Sequence, residues 1–288
     1  MDLLQTFMFV PADSARKMAS AKKLSPDAFI YDLEDAVAPD KKVEARSMLK
    51  NELDTAAHPP SPLFVRVNAS GSPFLEADLP IAVHPRVYGI VLPKCNDAAE
   101  VAQIHQTISR LEERAGMPEG GVKLVLMIES AKGVSRAGEL ARSSSRAIAL
   151  LFGGEDFCAD MGIQRTKGGD EIAVARFLVA LAARTERLEA IDGPFIDFND
   201  PTGLFDEALR VKQLGFSGKA LIHPSQIEVV QSAFAPSPEE ISLAEEIVAA
   251  FEKSGAGVAS VRGKMIDGPV AMQAKRILKQ HARKRKSE

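Results

Sequence analysis

Lys123–Glu129 reads KLVLMIE, five apolar residues in an unbroken run closed by a carboxylate. A strand with one wet face alternates apolar and polar residues. An unbroken run needs both faces covered, as in a parallel sheet flanked by helices. Working outward, similar runs recur at Thr6–Pro11 (TFMFVP), Ala28–Leu33 (AFIYDL), Leu63–Asn68 (LFVRVN) and Gly89–Lys94 (GIVLPK). Three more follow at Ala147–Gly153 (AIALLFG), Pro194–Asp197 (PFID) and Gly218–Pro224 (GKALIHP). Between them the period turns helical. Ala98–Arg114 places Val101, Ile104, Ile108 and Leu111 on one face, and Ile172–Leu188 and Asp206–Leu214 behave alike.

Eight strands, most followed by a helix, predict a (β/α)8 TIM barrel over residues 1–235. An open doubly wound sheet is the alternative. It lacks support because the first strand runs into Pro11-Ala12-Asp13-Ser14, not a dinucleotide-binding glycine fingerprint. Residues 236–288 read as a C-terminal helical extension. Ser237-Pro238-Glu239-Glu240 supplies an N-cap, a proline at the first helical position and a capping-box glutamate for a helix through about Lys253. A glycine-containing turn, the stretch Val258–Pro269 (VASVRGKMIDGP) and a helix from about Val270 complete it.

The composition of the 288 residues is globular, with 45% hydrophobic and 26% charged residues. Lysine plus arginine is 36 against 39 acids. That balance gives no electrostatic reason to bind nucleic acid or an anionic membrane. No run is long enough to span a bilayer. The start, MDLLQTFMFVPADS, has no basic region or cleavage site of a secretory signal. Cys95 and Cys158, far apart, read as reduced thiols of a cytoplasmic protein. The basic tail KQHARKRKSE is read as a solvated terminus, since no aromatic residues interleave its charges.

A barrel of this kind builds its active site at the C-terminal ends of the strands. The residues expected there are Asp32, Glu34 and Asp35 after strand two, Arg66 and Asn68 on strand three, and Lys94 after strand four. Glu129-Ser130 follows strand five, Glu155-Asp156 strand six, Asp197 and Asp200 strand seven, and His223 strand eight. Carboxylates gathered on one rim repel, and a divalent cation relieves the repulsion. With oxygen donors and no His/Cys cluster, Mg2+ (or Mn2+) is favoured over zinc.

Several segments occur together in one order: FVPADSARK (Phe9–Lys17), DLEDAVAPDKKVEAR (Asp32–Arg46), VRVN (Val65–Asn68) and LPK (Leu92–Lys94). IESAKG (Ile128–Gly133), GGEDF (Gly153–Phe157), GFSGKALIHPSQI (Gly215–Ile227) and GKMIDGP (Gly263–Pro269) continue the series. The set resembles the citrate lyase beta-subunit-like branch of the HpcH/HpaI aldolase family, which includes citryl, citramalyl, malyl and methylmalyl coenzyme A lyases. The resemblance implies a Mg2+-dependent carbon–carbon lyase that cleaves a 3-hydroxyacyl-CoA thioester to acetyl-CoA or a related acyl-CoA and a 2-oxo acid. It implies Glu129 and Asp156 as metal ligands and Arg66 as the substrate-binding arginine. It also implies a homotrimer or larger assembly in which the extension packs on a neighbouring subunit and delivers Asp267 to that subunit's site. The chain departs from the pattern at Ala12, where many relatives have glycine, and at Gln5-Thr6.

Other residues keep two readings. Asp32, Glu34 and Asp35 either hold metal-bound waters or orient Arg66. Asp156 alone reads equally as a helix cap. Arg16, with Lys17, Lys22 and Lys23, either meets coenzyme A phosphates or forms a solvated helix face. Lys94 is a candidate contact for phosphate or carboxylate, and His223 reads mainly as a packed turn residue. Competing functions are a malyl-CoA-type thioesterase using the same site, an aldolase acting on free hydroxy-oxo acids, and a non-catalytic subunit of a lyase complex.

Overall fold

The computed structural model describes residues 4–55, 61–255 and 257–287, with side chains through residue 282. These residues fall into two compact units, 4–233 and 234–287.

The first unit is a closed barrel of eight parallel strands in sequence order. They are β1 (Thr6–Pro11), β2 (Ala28–Asp32), β3 (Leu63–Arg66), β4 (Gly89–Leu92), β5 (Lys123–Ile128), β6 (Ala147–Phe152), β7 (Glu189–Asp192) and β8 (Gly218–Leu221). β8 closes on β1 with Thr6 opposite Lys219 and Met8 opposite Leu221. Successive side chains on a strand point to opposite faces, so every second residue fills the interior. Phe7, Ile30, Phe64, Val91, Val125, Met127, Leu151, Ile191 and Ala220 form that inner cluster. The alternate residues meet the surrounding helices. The helix Ala98–Arg114 forms as its sequence dictates: Asp97 accepts the Ala99 N–H as N-cap, and Val101, Ile104 and Ile108 are buried. Its last turn also buries Glu112, which takes both terminal nitrogens of the buried Arg146 at 2.9 and 2.6 Å.

One strand lies elsewhere than expected. The seventh is Glu189–Asp192 (EAID), whereas Pro194–Asp197 is loop and bend. EAID holds two apolar residues between two acids, so it gives no apolar run. It is a strand because Asp192, fully buried on the helix side, receives Arg176 at 2.8 and 3.0 Å and the ammonium of Lys219. Asp197 is therefore not a strand-end residue, and Asp200 caps the helix Pro201–Gln213 by accepting the Gly203 N–H.

In the helix Asp170–Thr185 the inner face buries Ile172, Val179 and Ala183. Its outer face carries Val174, Phe177, Leu178 and Leu181, which are 72, 51, 43 and 52% exposed. Their i, i+3, i+4, i+7 spacing makes one apolar stripe on the surface of the unit.

In the second unit the helix Pro238–Lys253 starts with the complete capping box of Ser237 and Glu240. Ala259–Val261 and Lys264–Ile266 pair as an antiparallel hairpin, an element the sequence reading left unassigned. The final helix, Gly268–Ser287, packs Ala274 with Ala244, Ile247 and Ile266. The basic side chains beyond residue 282 lie outside the described residues. No helix among the described residues is long and apolar enough to cross a membrane.

Candidate active site

The period of two that builds the barrel core also builds the site. Asp32 lies two residues beyond Ile30, Arg66 two beyond Phe64, and Glu129 two beyond Met127. Each therefore projects above the apolar layer at the C-terminal mouth.

Asp32 and Arg66 are register partners on β2 and β3. Arg66 Nε donates to Asp32 Oδ1 at 2.8 Å and Nη2 to Oδ2 at 2.6 Å, a two-pronged pair that fixes the guanidinium plane. Asp32 also accepts the N–H groups of Glu34 and Ala36 at 2.8 and 3.2 Å. Its oxygens are thus committed to the arginine and the turn. Arg66 Nη1 stands 3.1 Å from Glu34 Oε2, and the guanidinium lies over the Phe9 ring, 4.7 Å from its centroid. Burial works against this cation, but Asp32, Glu34 and Asp35 outweigh it and hold its pKa above the ordinary value. Among the described residues the second N–H of Nη2 makes no hydrogen bond and Nη1 meets Glu34 only as an ion pair, so these donors remain for a substrate oxygen.

Lys94 links the acids that follow β2 to Glu129. Its Nζ donates to Glu34 Oε1 at 2.6 Å and lies 3.5 Å from Asp35 Oδ1. Its backbone N–H donates to Glu129 Oε1 at 2.6 Å. Burial pushes the Glu34 carboxyl up, with Arg66 and Lys94 pulling against it.

Glu129 is 3% exposed. Burial first, and the nearby Asp156 second, push its carboxyl up to about 8. Gly153 lies against it: a Cβ there would stand 2.6 Å from Glu129 Cβ and Oε2, so a residue without a side chain is required. Asp156 sits in the first turn of the helix Gly154–Met161, whose N-cap is Gly153 with no side-chain cap. Asp156 is exposed and lies within the first turn, past the N-cap position that Gly153 takes, so it is not the cap its position suggested. Two carboxylates lie in each other's field here, and the Lys94 N–H and the charge of Arg66 offset it only in part. Among the described residues no group of three or more His, Cys, Asp or Glu side chains is set up to enclose a metal. The donors suit a hard cation that keeps most of its coordination positions open.

Arg16 is exposed on the short helix after β1, and Lys22 beside it is tied to Glu52 at 2.7 Å. His223 stacks on Phe198 at 4.8 Å and bonds Ser225 Oγ at 2.7 Å, a turn role. Ser130 caps a helix by accepting the Gly133 N–H at 2.9 Å. Asp267 lies in the second unit and holds the start of the last helix, accepting the Val270 N–H at 3.2 Å. Phe9 and Gly153 were not singled out from the sequence. Phe9 follows Phe7 at the strand period, and Gly153 follows the β6 run directly.

A parallel barrel with an arginine and clustered acids at its C-terminal mouth defines an α/β-barrel enzyme. The HpcH/HpaI aldolase/citrate lyase family model matches residues 5–224, and the chain belongs to that family. It is 37% identical over 280 residues to the citrate lyase subunit beta of Leuconostoc mesenteroides subsp. cremoris, covering 96% of this chain and 93% of that one. It is 33% identical over 277 residues to a (3S)-malyl-CoA thioesterase of Cereibacter sphaeroides, covering 95% and 93%. The crystal structure of CitE from Mycobacterium tuberculosis in complex with magnesium, acetoacetate and coenzyme A superposes with a TM-score of 0.82 at 31% identity, over 97% of this chain and 98% of that one.

Proposed function

We propose that this protein is a Mg2+-dependent carbon–carbon lyase acting on a 3-hydroxyacyl-CoA thioester of the malyl, methylmalyl, citramalyl or citryl type. The products are acetyl-CoA or a related acyl-CoA and a 2-oxo acid. The observation that carries this reading is the only partly compensated pair Glu129 and Asp156 beside an oriented Arg66. Glu129 and Asp156 hold the ion, which supplies Lewis-acid polarisation of the substrate's hydroxyl and carboxylate oxygens. Arg66, fixed by Asp32, offers its free N–H groups to the thioester oxygen as negative charge develops there. Glu34 and Asp35 orient the arginine. Arg16 meets the coenzyme A phosphates. Asp267, donated by a neighbouring subunit, delivers the proton that the enolate carbon takes up after cleavage.

Incubating the protein and Mg2+ with a panel of malyl-, methylmalyl-, citramalyl- and citryl-CoA, with products read by mass spectrometry, tests the reading. Acyl-CoA plus 2-oxo acid supports it. Free coenzyme A would favour the thioesterase reading, which the Cereibacter relative makes the chief alternative. Tight binding without turnover would favour a non-catalytic subunit.

The raised Glu129 carboxyl gives a pH prediction. With a pKa of about 8 it keeps its proton at pH 7, and the ion must displace it. Magnesium binding is expected to release close to one proton per ion at pH 7. Affinity rises with pH and levels off above about 8. Calorimetry in two buffers of different ionisation enthalpy measures both, and a pH-independent affinity between 6 and 9 contradicts the assignment.

The apolar stripe on Asp170–Thr185 supports a homo-oligomer; we propose a trimer or hexamer, and a cytoplasmic protein. Phe177→Asp is expected to shift the mass measured by light scattering to that of a single chain. An unchanged mass would place the interface elsewhere. Mixing and reassembling Glu129→Gln with Asp267→Ala subunits is expected to restore part of the activity each lacks. No recovery would mean that Asp267 serves no neighbour's site.

A further inference from the structure

Lys94 has φ +53, in the left-handed region that glycine favours and a lysine enters at a cost. A non-glycine residue held there points to a role when its surroundings over-determine it. Here both halves of the residue are engaged. The left-handed turn after β4 aims the Lys94 N–H at Glu129 Oε1, 2.6 Å away. The same turn sends the side chain to Glu34, where Nζ meets Oε1 at 2.6 Å. Glu129 is thereby gripped on two sides, by the Lys94 N–H at Oε1 and by Gly153 packed against Oε2. No other hydrogen bond to the Glu129 carboxylate exists among the described residues.

Resting on the reading of Glu129 as a ligand for Mg2+, we infer that Lys94 is a positioning residue, not a substrate contact. Its backbone sets the orientation of the Glu129 carboxylate, and its ammonium is the fixed counter-ion of Glu34. Glycine at this position would hold the turn and the N–H but leave Glu34 with Arg66 as its only cationic partner among the described residues. The lysine is kept at a strained position because one residue serves both carboxylates. The ammonium is bound to Glu34 and flanked by Asp35, which leaves it at most one N–H, and its place is between those two acids rather than on a substrate carboxylate.

Two substitutions separate the two halves. Lys94→Gly keeps the left-handed turn and the N–H while removing the ammonium. Lys94→Val removes the ammonium and, being β-branched, resists the turn. Binding of Mg2+ alone is measured by calorimetry at pH 8. Lys94→Gly is expected to bind within about threefold of the unsubstituted protein, and Lys94→Val at least about tenfold more weakly. Oxaloacetate binding at saturating Mg2+ is expected to change by less than about threefold in Lys94→Gly. Equal Mg2+ affinity in Lys94→Val and Lys94→Gly overturns the backbone role. A loss of tenfold or more in oxaloacetate affinity in Lys94→Gly overturns the counter-ion role, because it makes the ammonium a direct contact. Should Lys94→Val not fold, Lys94→Ala, which also lacks glycine's freedom, takes its place with the same expectation at a smaller amplitude. If the unsubstituted protein binds no Mg2+, the metal reading itself fails, a result distinct from either of these.

Discussion

Glu129→Gln is expected to lower turnover by about a thousandfold or more and to abolish the thermal stabilisation by Mg2+, while leaving the metal-free protein as stable as before. The three parts rest on one observation. Glu129 is almost fully buried, and burial together with Asp156 pushes its carboxyl up to about 8. In the metal-free protein at pH 7 the side chain is thus mostly the neutral acid. Glutamine matches that acid in shape, and its carbonyl oxygen still accepts the Lys94 N–H, so packing against Gly153 is kept. What glutamine cannot do is ionise, and a neutral amide beside Asp156 leaves a hard cation with a single carboxylate. Losing a Lewis acid worth several kcal/mol corresponds to a factor on the order of 10^3 or more. Differential scanning fluorimetry with and without Mg2+, run beside the thioester assay, reads all three. A variant that keeps both its Mg2+-dependent shift and turnover within tenfold would remove Glu129 from the site.

The sequence carries this site because barrel strands and catalytic residues share one period. AFIYD, LFVR and KLVLMIE each place the polar residue that matters in phase with the inward apolar residues, so Asp32, Arg66 and Glu129 are legible as a rim before any coordinates. What the rim does with them is less legible. Arg66 reads either as a substrate contact or as an ion pair, and the structure gives it both a two-pronged partner and free donors. The left-handed backbone of Lys94 has no signature at all, since lysine is not a residue associated with that conformation. Strand seven was misplaced for a different reason. Its charges are neutralised by residues on helices and strands up to 27 positions away, a compensation that no local window contains. The apolar PFID that follows imitates a strand, but its proline and the buried Phe195 belong to the turn over Gln226, whose amide donates to the Phe195 carbonyl at 2.7 Å.

That same compensation sets the largest expected effect on stability. Lys219, on β8, is fully buried. Its ammonium donates to Asp192, to the Gly193 carbonyl at 2.7 Å and to Glu207 at 2.8 Å. Arg176 binds Asp192 and lies 3.1 Å from Glu207, while Arg165 donates to Glu207 at 2.6 Å. Burial would raise the Glu207 carboxyl, but Lys219, Arg176 and Arg165 outweigh it and hold it down at about 2. Lys219→Met fits the volume yet leaves Asp192 and Glu207 sharing two arginines in a dry layer between barrel and helices. Breaking a buried network by removing one partner costs roughly 3–5 kcal/mol. For a chain of this length that is a fall of about 5–8 °C in the melting temperature. The double variant Lys219→Met/Glu207→Gln is expected to lose less than the sum of its single changes, because the second change removes a charge the first has stranded. The pH profile has a fixed sign. Glu207 titrates lower in the folded protein than in the unfolded chain, so its contribution is full above the ordinary carboxylate range. It is lost as the pH falls from about 4.5 towards 2. In Lys219→Met the folded-state value moves up, and that acid-side loss shrinks. Mg2+ binding by the folded variant stays near that of the unsubstituted protein, since Asp192 points to the helices and not into the mouth. A melting temperature within 3 °C of the unsubstituted protein would mean that the two arginines neutralise Asp192 and Glu207 by themselves, and that the lysine contributes nothing beyond its packing.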